Sequence, residues 1–171
     1  MSKRDCFEEH LNKILVKTKD KAAIIGIGNR MRGDDGAGPA LIDSLKNALP
    51  EEKFPLFDCG ETPENWIIPI INAKPQTIFI VDAVDFGVTP GSIKIFDPTE
   101  LGPRGISTHS MSLDIFVNYL KKELGASIFL IGIQPKSLKF GGKISNPVSK
   151  AIDRLTEYFR HLGRINPTPT L

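Results

Sequence analysis

The chain has 171 residues, 40% of them hydrophobic and 25% charged, values that fit one globular domain able to bury most of its apolar surface. Its 22 Lys and Arg stand against 20 Asp and Glu, a net charge of +2, so there is no electrostatic case for nucleic acid; the longest basic stretch, Lys136 to Lys143, reads as a solvated loop. The two cysteines, Cys6 and Cys59, lie far apart and in no CxxC arrangement, which argues against a disulfide framework or structural zinc site and points to a reducing, cytoplasmic setting.

The first twenty residues mix charges throughout and hold no apolar core for a signal peptide. No stretch approaches the run of about eighteen apolar residues that a membrane-spanning helix needs. Phe7, Leu11, Ile14 and Leu15 recur at helical spacing and predict a short amphipathic helix over 5–18. AAIIGI (22–27) has the pattern of a buried strand. The turn GNRMRGDDGAG (28–38) follows, and Ala37, Leu41, Leu45 and Leu49 line one face of a helix that tolerates Pro39 in its first turn. KFPLFD (53–58) predicts a second strand, then the loop CGETPEN (59–65) and a helix through Ile67, Ile68 and Ile71. TIFIVDAV (77–84) is apolar on both faces until Asp82, as a central parallel strand should be. SIKIFD (92–97) alternates after the Pro90–Gly91 turn signal. Met111, Leu113, Phe116, Val117, Leu120 and Leu124 define another helix; SIFLIGI (127–133) is the last strand, and Val148, Ile152, Leu155 and Phe159 mark the last helix. From Gly163 the chain, with Pro167 and Pro169, reads as a frayed tail. No repeat or linker interrupts it, so 1–171 is read as a single domain.

Strands alternating with helices predict an α/β sandwich around a mostly parallel sheet. The exception is 92–97. Only DFGVTPG separates it from the strand before, too short for a helical crossover, so it should run antiparallel. In open α/β sheets ligands bind beyond the carboxyl ends of the strands. Asp34 and Asp35 follow the first strand at that edge, and Asp82 lies near the end of the third. The strand at 127–133 must start at the lower edge, so the helix over 110–124 descends to it and its N-terminus, with His109, belongs at the upper edge. Residues 98–108 can climb back at about 3.3 Å per extended residue. Two carboxylates and one imidazole thereby converge. The positive end of a helix disfavours imidazolium, leaving His109 in the neutral form that binds a metal. Such a set suits a borderline divalent ion with open coordination positions, or the acids could work as a general acid–base pair.

Plainer roles compete with these. Asp34 or Asp35 can simply cap the helix that follows. Asp82 can be held by structural pairing, because an acid in a buried strand is costly unless paired. A lone His at a helix start can be structural or incidental, and Asp58, Asp85 and Asp97 read as turn or strand-end residues. The glycines of GIGN permit a tight turn but do not continue into GxGxxG, so a dinucleotide fingerprint is absent.

Taken in order, GIGNRMRGDDGAGPAL, DCGETPEN, VDAVDFGVTPGSIKIFDP, STHSM and FLIGIQP resemble the hydrogenase maturation endopeptidases. The likeness is to those that process large subunits of nickel–iron hydrogenases of the formate-hydrogenlyase, or hydrogenase-3, type. It runs from about Ala22 to the last helix and leaves residues 1–20 outside as an extra N-terminal helix. It implies a three-layer α/β/α sandwich whose five strands take the order 2-1-3-5-4, strand 4 being antiparallel. The activity it implies is removal of the C-terminal extension of the large-subunit precursor after nickel insertion, by one cleavage just after the basic residue that follows the last metal-binding cysteine motif.

By the same resemblance, nickel recognition falls on Asp35, Asp82 and His109, with Asp35 and Asp82 as the catalytic carboxylates; an aspartic-type and a metal-assisted mechanism both stay open. Asp34 is left to support the turn while Asp35 faces the cleft. Nickel arrives with the substrate, no organic cofactor is implied, and the enzyme is expected to be a cytoplasmic monomer without nucleic-acid binding or membrane insertion. A nickel-binding assembly chaperone without peptidase activity is the alternative. The loops 59–65 and 134–147 leave the carboxyl ends of parallel strands and are expected to flank the cleft and receive the substrate, the second having Gly141–Gly142 as a mobile element.

Overall fold

Six apolar or small residues without a polar break give β1 (Ala22–Ile27) no solvent face, and it is buried along its whole length. It is an interior strand of the sheet of a computed structural model that describes residues 5–17, 21–98 and 110–165. On one side β1 pairs in parallel with β2 (Leu56–Gly60), on the other with β3 (Thr77–Ala83). β5 (Ser127–Ile133) continues the parallel run beyond β3, and β4 (Ile93–Phe96) closes the far edge antiparallel to β5. The order is β2-β1-β3-β5-β4. The short loop after β3 enforces the one reversal.

Strand alternation then sorts the core. Ile24, Phe79, Val81 and Ile131 face α1 (Asp5–Lys17), α2 (Ala37–Leu45) and α5 (Asn146–Ile165). Ile25, Ile78, Ile80 and Leu130 face α3 (Ile67–Ala73) and α4 (Ser110–Leu124). The chain leaves β1 in one direction to make β2 and returns past it to make β3. Right-handed crossovers therefore put α2 and α3 on opposite faces, with the switch between β1 and β3.

Several boundaries differ from the sequence reading. β2 begins at Leu56 rather than 53, because Lys53 and Phe54 donate to the Pro50 carbonyl in a turn and Pro55 has no N–H. It then continues through Cys59 and Gly60, which were read as loop. In α3 the fully buried residue is Ile70, while Ile68 is 63% exposed. α5 runs on to Ile165, so Gly163 is helical, not frayed. A Cβ at Gly163 would come 2.8 Å from a Leu49 methyl, and this close approach ties the last turn down. Residues 166–171 lie outside the described set. α1 is part of the core, since Phe7, Leu11 and Ile14 are all buried in it. Each such side chain contributes about 2 kcal/mol. Arg154 lies 5.1 Å from the centre of the Phe7 ring, and the Tyr158 hydroxyl donates to Asn12 Oδ1 at 2.6 Å.

The packing of α2 has a sharp requirement. A Cβ at Gly38 would stand 2.4 Å from the Ile27 carbonyl oxygen and 2.5 Å from that of Val81, and one at Gly26 would stand 2.5 Å from Gly38 O. Helix backbone rests directly on strand backbone at the switch point. Gly26 thus serves close packing, not the tight turn read from GIGN. Although alanine favours helices, Gly38→Ala should destabilise the protein by about 2–3 kcal/mol through overpacking. The expected readout is a lower urea midpoint with an unchanged slope.

Candidate functional site

At the carboxyl end of β1 the chain turns over the sheet. Gly28 takes φ +138°, and a Cβ there would meet the Asp35 carbonyl oxygen at 1.8 Å, so the returning chain lies against a residue that must be glycine. Asn29 shapes the bend, its Oδ1 accepting the Met31 N–H at 2.7 Å and its carbonyl the Arg32 N–H at 3.1 Å. A single 3-10 turn, Gly33–Gly36, then leads into α2 and packs on β3.

Asp35 sits in that turn and is 1% exposed, its Oδ2 accepting the Asn29 N–H at 3.0 Å. It is therefore enclosed. Asp82 is fully buried near the end of β3, in register with Gly132 of β5. By alternation with Ile80 and Val84 it points to the α3/α4 side. Two acids distant in sequence thus occupy the carboxyl ends of adjacent strands. His109 lies outside the described residues; Ser110, which follows it, opens α4. Among the described residues no group of three or more His, Cys, Asp and Glu side chains is placed to hold a metal ion.

Neither acid of the turn makes a side-chain cap. Asp34, fully buried, reaches instead to the segment after β5. Its Oδ2 accepts the N–H groups of Lys136 (2.7 Å) and Ser137 (3.0 Å) and the Ser145 hydroxyl (2.9 Å), and its Oδ1 accepts the Ser145 N–H (2.6 Å). The Asp34 N–H returns a bond to Ser137 O, and Gly141 donates to Met31 O at 2.7 Å. The segment read as mobile is tethered at both ends.

Gln134 was not singled out by the sequence, although a polar residue closing an apolar strand directly before Pro135 was the available signal. Its Oε1 accepts the N–H groups of Phe86 (2.9 Å) and Val88 (3.3 Å), and its Nε2 donates to Asp85 Oδ1 at 3.0 Å. That bond, with a second from the Gly87 N–H, holds the Asp85 carboxyl below its usual range. Asp85 is a turn residue, as read.

A cleft of about 320 Å³ lies between the turn and β2, lined by Asn29, Arg30 and Met31 on one side and Asp58 to Thr62 on the other. Glu61 and Thr62, after β2, are part of its lining, whereas Asp35, Asp82 and the segment 134–147 are not. Arg30, also missed, bridges Asp43 and Asp58 at 2.6 Å each, and its hydrogen bond lowers the Asp43 carboxyl. Cys59 reaches this wall, but burial pushes its thiol far above the ordinary value, so it offers no thiolate for nucleophilic attack.

Comparison with known proteins gives a consistent picture. The family model described as hydrogenase maturation protease (HycI) matches residues 39–160. Over 131 residues the chain is 38% identical to the hydrogenase 3 maturation protease of Escherichia coli K12, spanning 76% of this chain and 83% of that protein. Among solved structures it is similar to the NiFe hydrogenase maturation protease HycI from Thermococcus kodakarensis KOD1, with a TM-score of 0.79 and 33% identity over 85% of this chain and 93% of that one. The solution structure of the endopeptidase HycI from Escherichia coli gives 0.72 and 34%, over 80% and 87%.

The tether has a measurable consequence. Asp34→Ala leaves three backbone donors without their acceptor and should cost on the order of 3 kcal/mol. Hydrogen exchange should quicken at the amides of Lys136, Ser137 and Ser145 beyond the change elsewhere in the sheet.

Proposed function

The chain belongs to the hydrogenase maturation proteases, and we propose that this endopeptidase removes the C-terminal extension of a nickel–iron hydrogenase large-subunit precursor after nickel insertion, reading the nickel its substrate carries. The observation that supports this most is the pair of buried acids, Asp35 and Asp82, at the carboxyl ends of β1 and β3 where the winding reverses. Ligand sites of open α/β sheets form at that switch point.

In this reading Asp35, Asp82 and His109 complete the coordination of nickel already held by thiolates of the precursor, a donor set of oxygen and nitrogen suited to a borderline ion. A cation brought by the substrate is a favourable partner for two carboxylates enclosed at one rim. Binding thereby becomes selective for the nickel-loaded precursor. Hydrolysis adds water to the scissile carbonyl carbon and breaks the C–N bond. A carboxylate takes the water's proton and passes it to the leaving amine. We assign this work to a monomer in the cytoplasm, where cysteines like Cys6 and Cys59 stay reduced. Among the described residues no helix is long and apolar enough to cross a membrane. The chaperone alternative has no observation of its own in its favour.

Incubation of the purified protein with precursor should shift the precursor's mass only when nickel is loaded. A nickel-free precursor should survive long incubation in chelator. Efficient cutting under that condition would make the enzyme an ordinary carboxylate protease and remove nickel from its specificity. Asp82→Asn should lower kcat/KM by roughly 10²–10⁴, the range for losing a general acid or base. Asp85→Asn keeps an acceptor for Gln134 and should leave cleavage near the wild-type rate. Equal rates for the two variants at matched thermal stability would remove Asp82 from the chemistry.

A further inference from the structure

Residues 134–147 contain three lysines and no acid, whereas the whole chain carries a net charge of only +2. The segment is therefore locally positive, with Lys136, Lys139 and Lys143 all exposed. Between them Phe140 is 71% exposed, and Met31, whose carbonyl accepts the Gly141 N–H, is 57% exposed. A large aromatic and a methionine held out to solvent are unfavourable for an isolated protein and enriched in interfaces. The buried Asp34 carboxylate fixes the segment on both sides of Phe140, through Lys136 and Ser137 before it and Ser145 after it. A surface held rigid in this way loses little freedom on association. Met31 also lines the cleft between the 28–38 turn and β2, on the same turn that carries Asp35.

We propose that Met31 and Phe140, ringed by Lys136, Lys139 and Lys143, dock the folded body of the precursor, which meets them with an apolar depression bordered by acidic residues. The identity of the partner rests on the function proposed above. The surface reads the body of the substrate, not its tail or its nickel. The lysines steer the encounter and set its salt dependence, and the apolar pair supplies the contact energy.

The test separates docking from chemistry. Equilibrium binding is measured by calorimetry with nickel-free precursor, and cleavage with nickel-loaded precursor. In the double variant Met31→Ser/Phe140→Ser, Kd and KM should both rise by about tenfold or more, as for loss of interface anchors. In the same variant kcat should change by no more than about twofold, the signature of lost uniform binding. The triple variant Lys136→Glu/Lys139→Glu/Lys143→Glu should weaken binding and flatten the salt dependence of KM, and its exposed positions provide the reading if the double variant folds poorly. Unchanged Kd and KM in both variants overturn the proposal. So does tight wild-type binding to phosphatidylserine–phosphatidylcholine vesicles that the double variant loses while precursor binding persists, since the patch would then be a membrane anchor. A wild-type protein that binds the precursor through this patch yet never cuts it would sink the proposed reaction and leave the docking surface standing.

Discussion

With the Gly38 backbone lying against the carbonyl oxygens of Ile27 and Val81, α2 has one available seat on the sheet, and everything between β1 and that seat must fit the gap. Gly28 presses on the Asp35 carbonyl, Asn29 folds back on Met31 and Arg32, and the 3-10 turn is compressed over the strand ends. The direction of the Asp34 and Asp35 side chains follows from that compression. Neighbours in sequence, they serve different parts of the molecule because a tight turn sends successive side chains apart. One grips the segment after β5, the other turns in beneath Asn29. The rim is therefore a single mechanical unit joining β1, α2 and the exit of β5.

Much of the fold was legible because burial leaves a local trace. β1 and β5 were read to the residue from unbroken apolar runs, and the reversal of β4 followed from the length of one loop. Asp82 stood out because an acid inside an apolar strand is conspicuous without any knowledge of its surroundings. What local pattern could not carry was partnership over distance. Asp34 and Ser145 are 111 residues apart, and nothing near either one announces the bond. The same holds for Gln134 with Asp85 and for Arg30 with Asp58. β2 was misplaced for a different reason. Its alternating apolar residues extend back into a turn held by the Pro50 carbonyl, and hydrophobicity does not distinguish the two. The face of α3 was misjudged because isoleucine occurs nearly all round that short helix, which blurs the period.

Under the proposed function, the enclosure of Asp35 and Asp82 bears on how the site selects its substrate. Exposed carboxylates on a groove would attract cations of any origin, whereas buried ones answer only to a charge delivered with enough binding energy to reach them. Selectivity of that kind needs a substrate gripped elsewhere first. The tethered basic segment proposed above as the docking surface is a place for that grip.

Cys59 gives this arrangement a further property. It stands on the cleft wall, yet desolvation keeps its sulfur protonated at any physiological pH. Soft metals compete for thiolates, and under the proposed function a protein that examines a thiolate-bound ion must not become its owner. A cysteine of ordinary acidity at that position would be a thief of cargo. Buried and neutral, Cys59 packs like a small apolar residue, and in the proposed reading the ion is inspected and left with the protein that carries it.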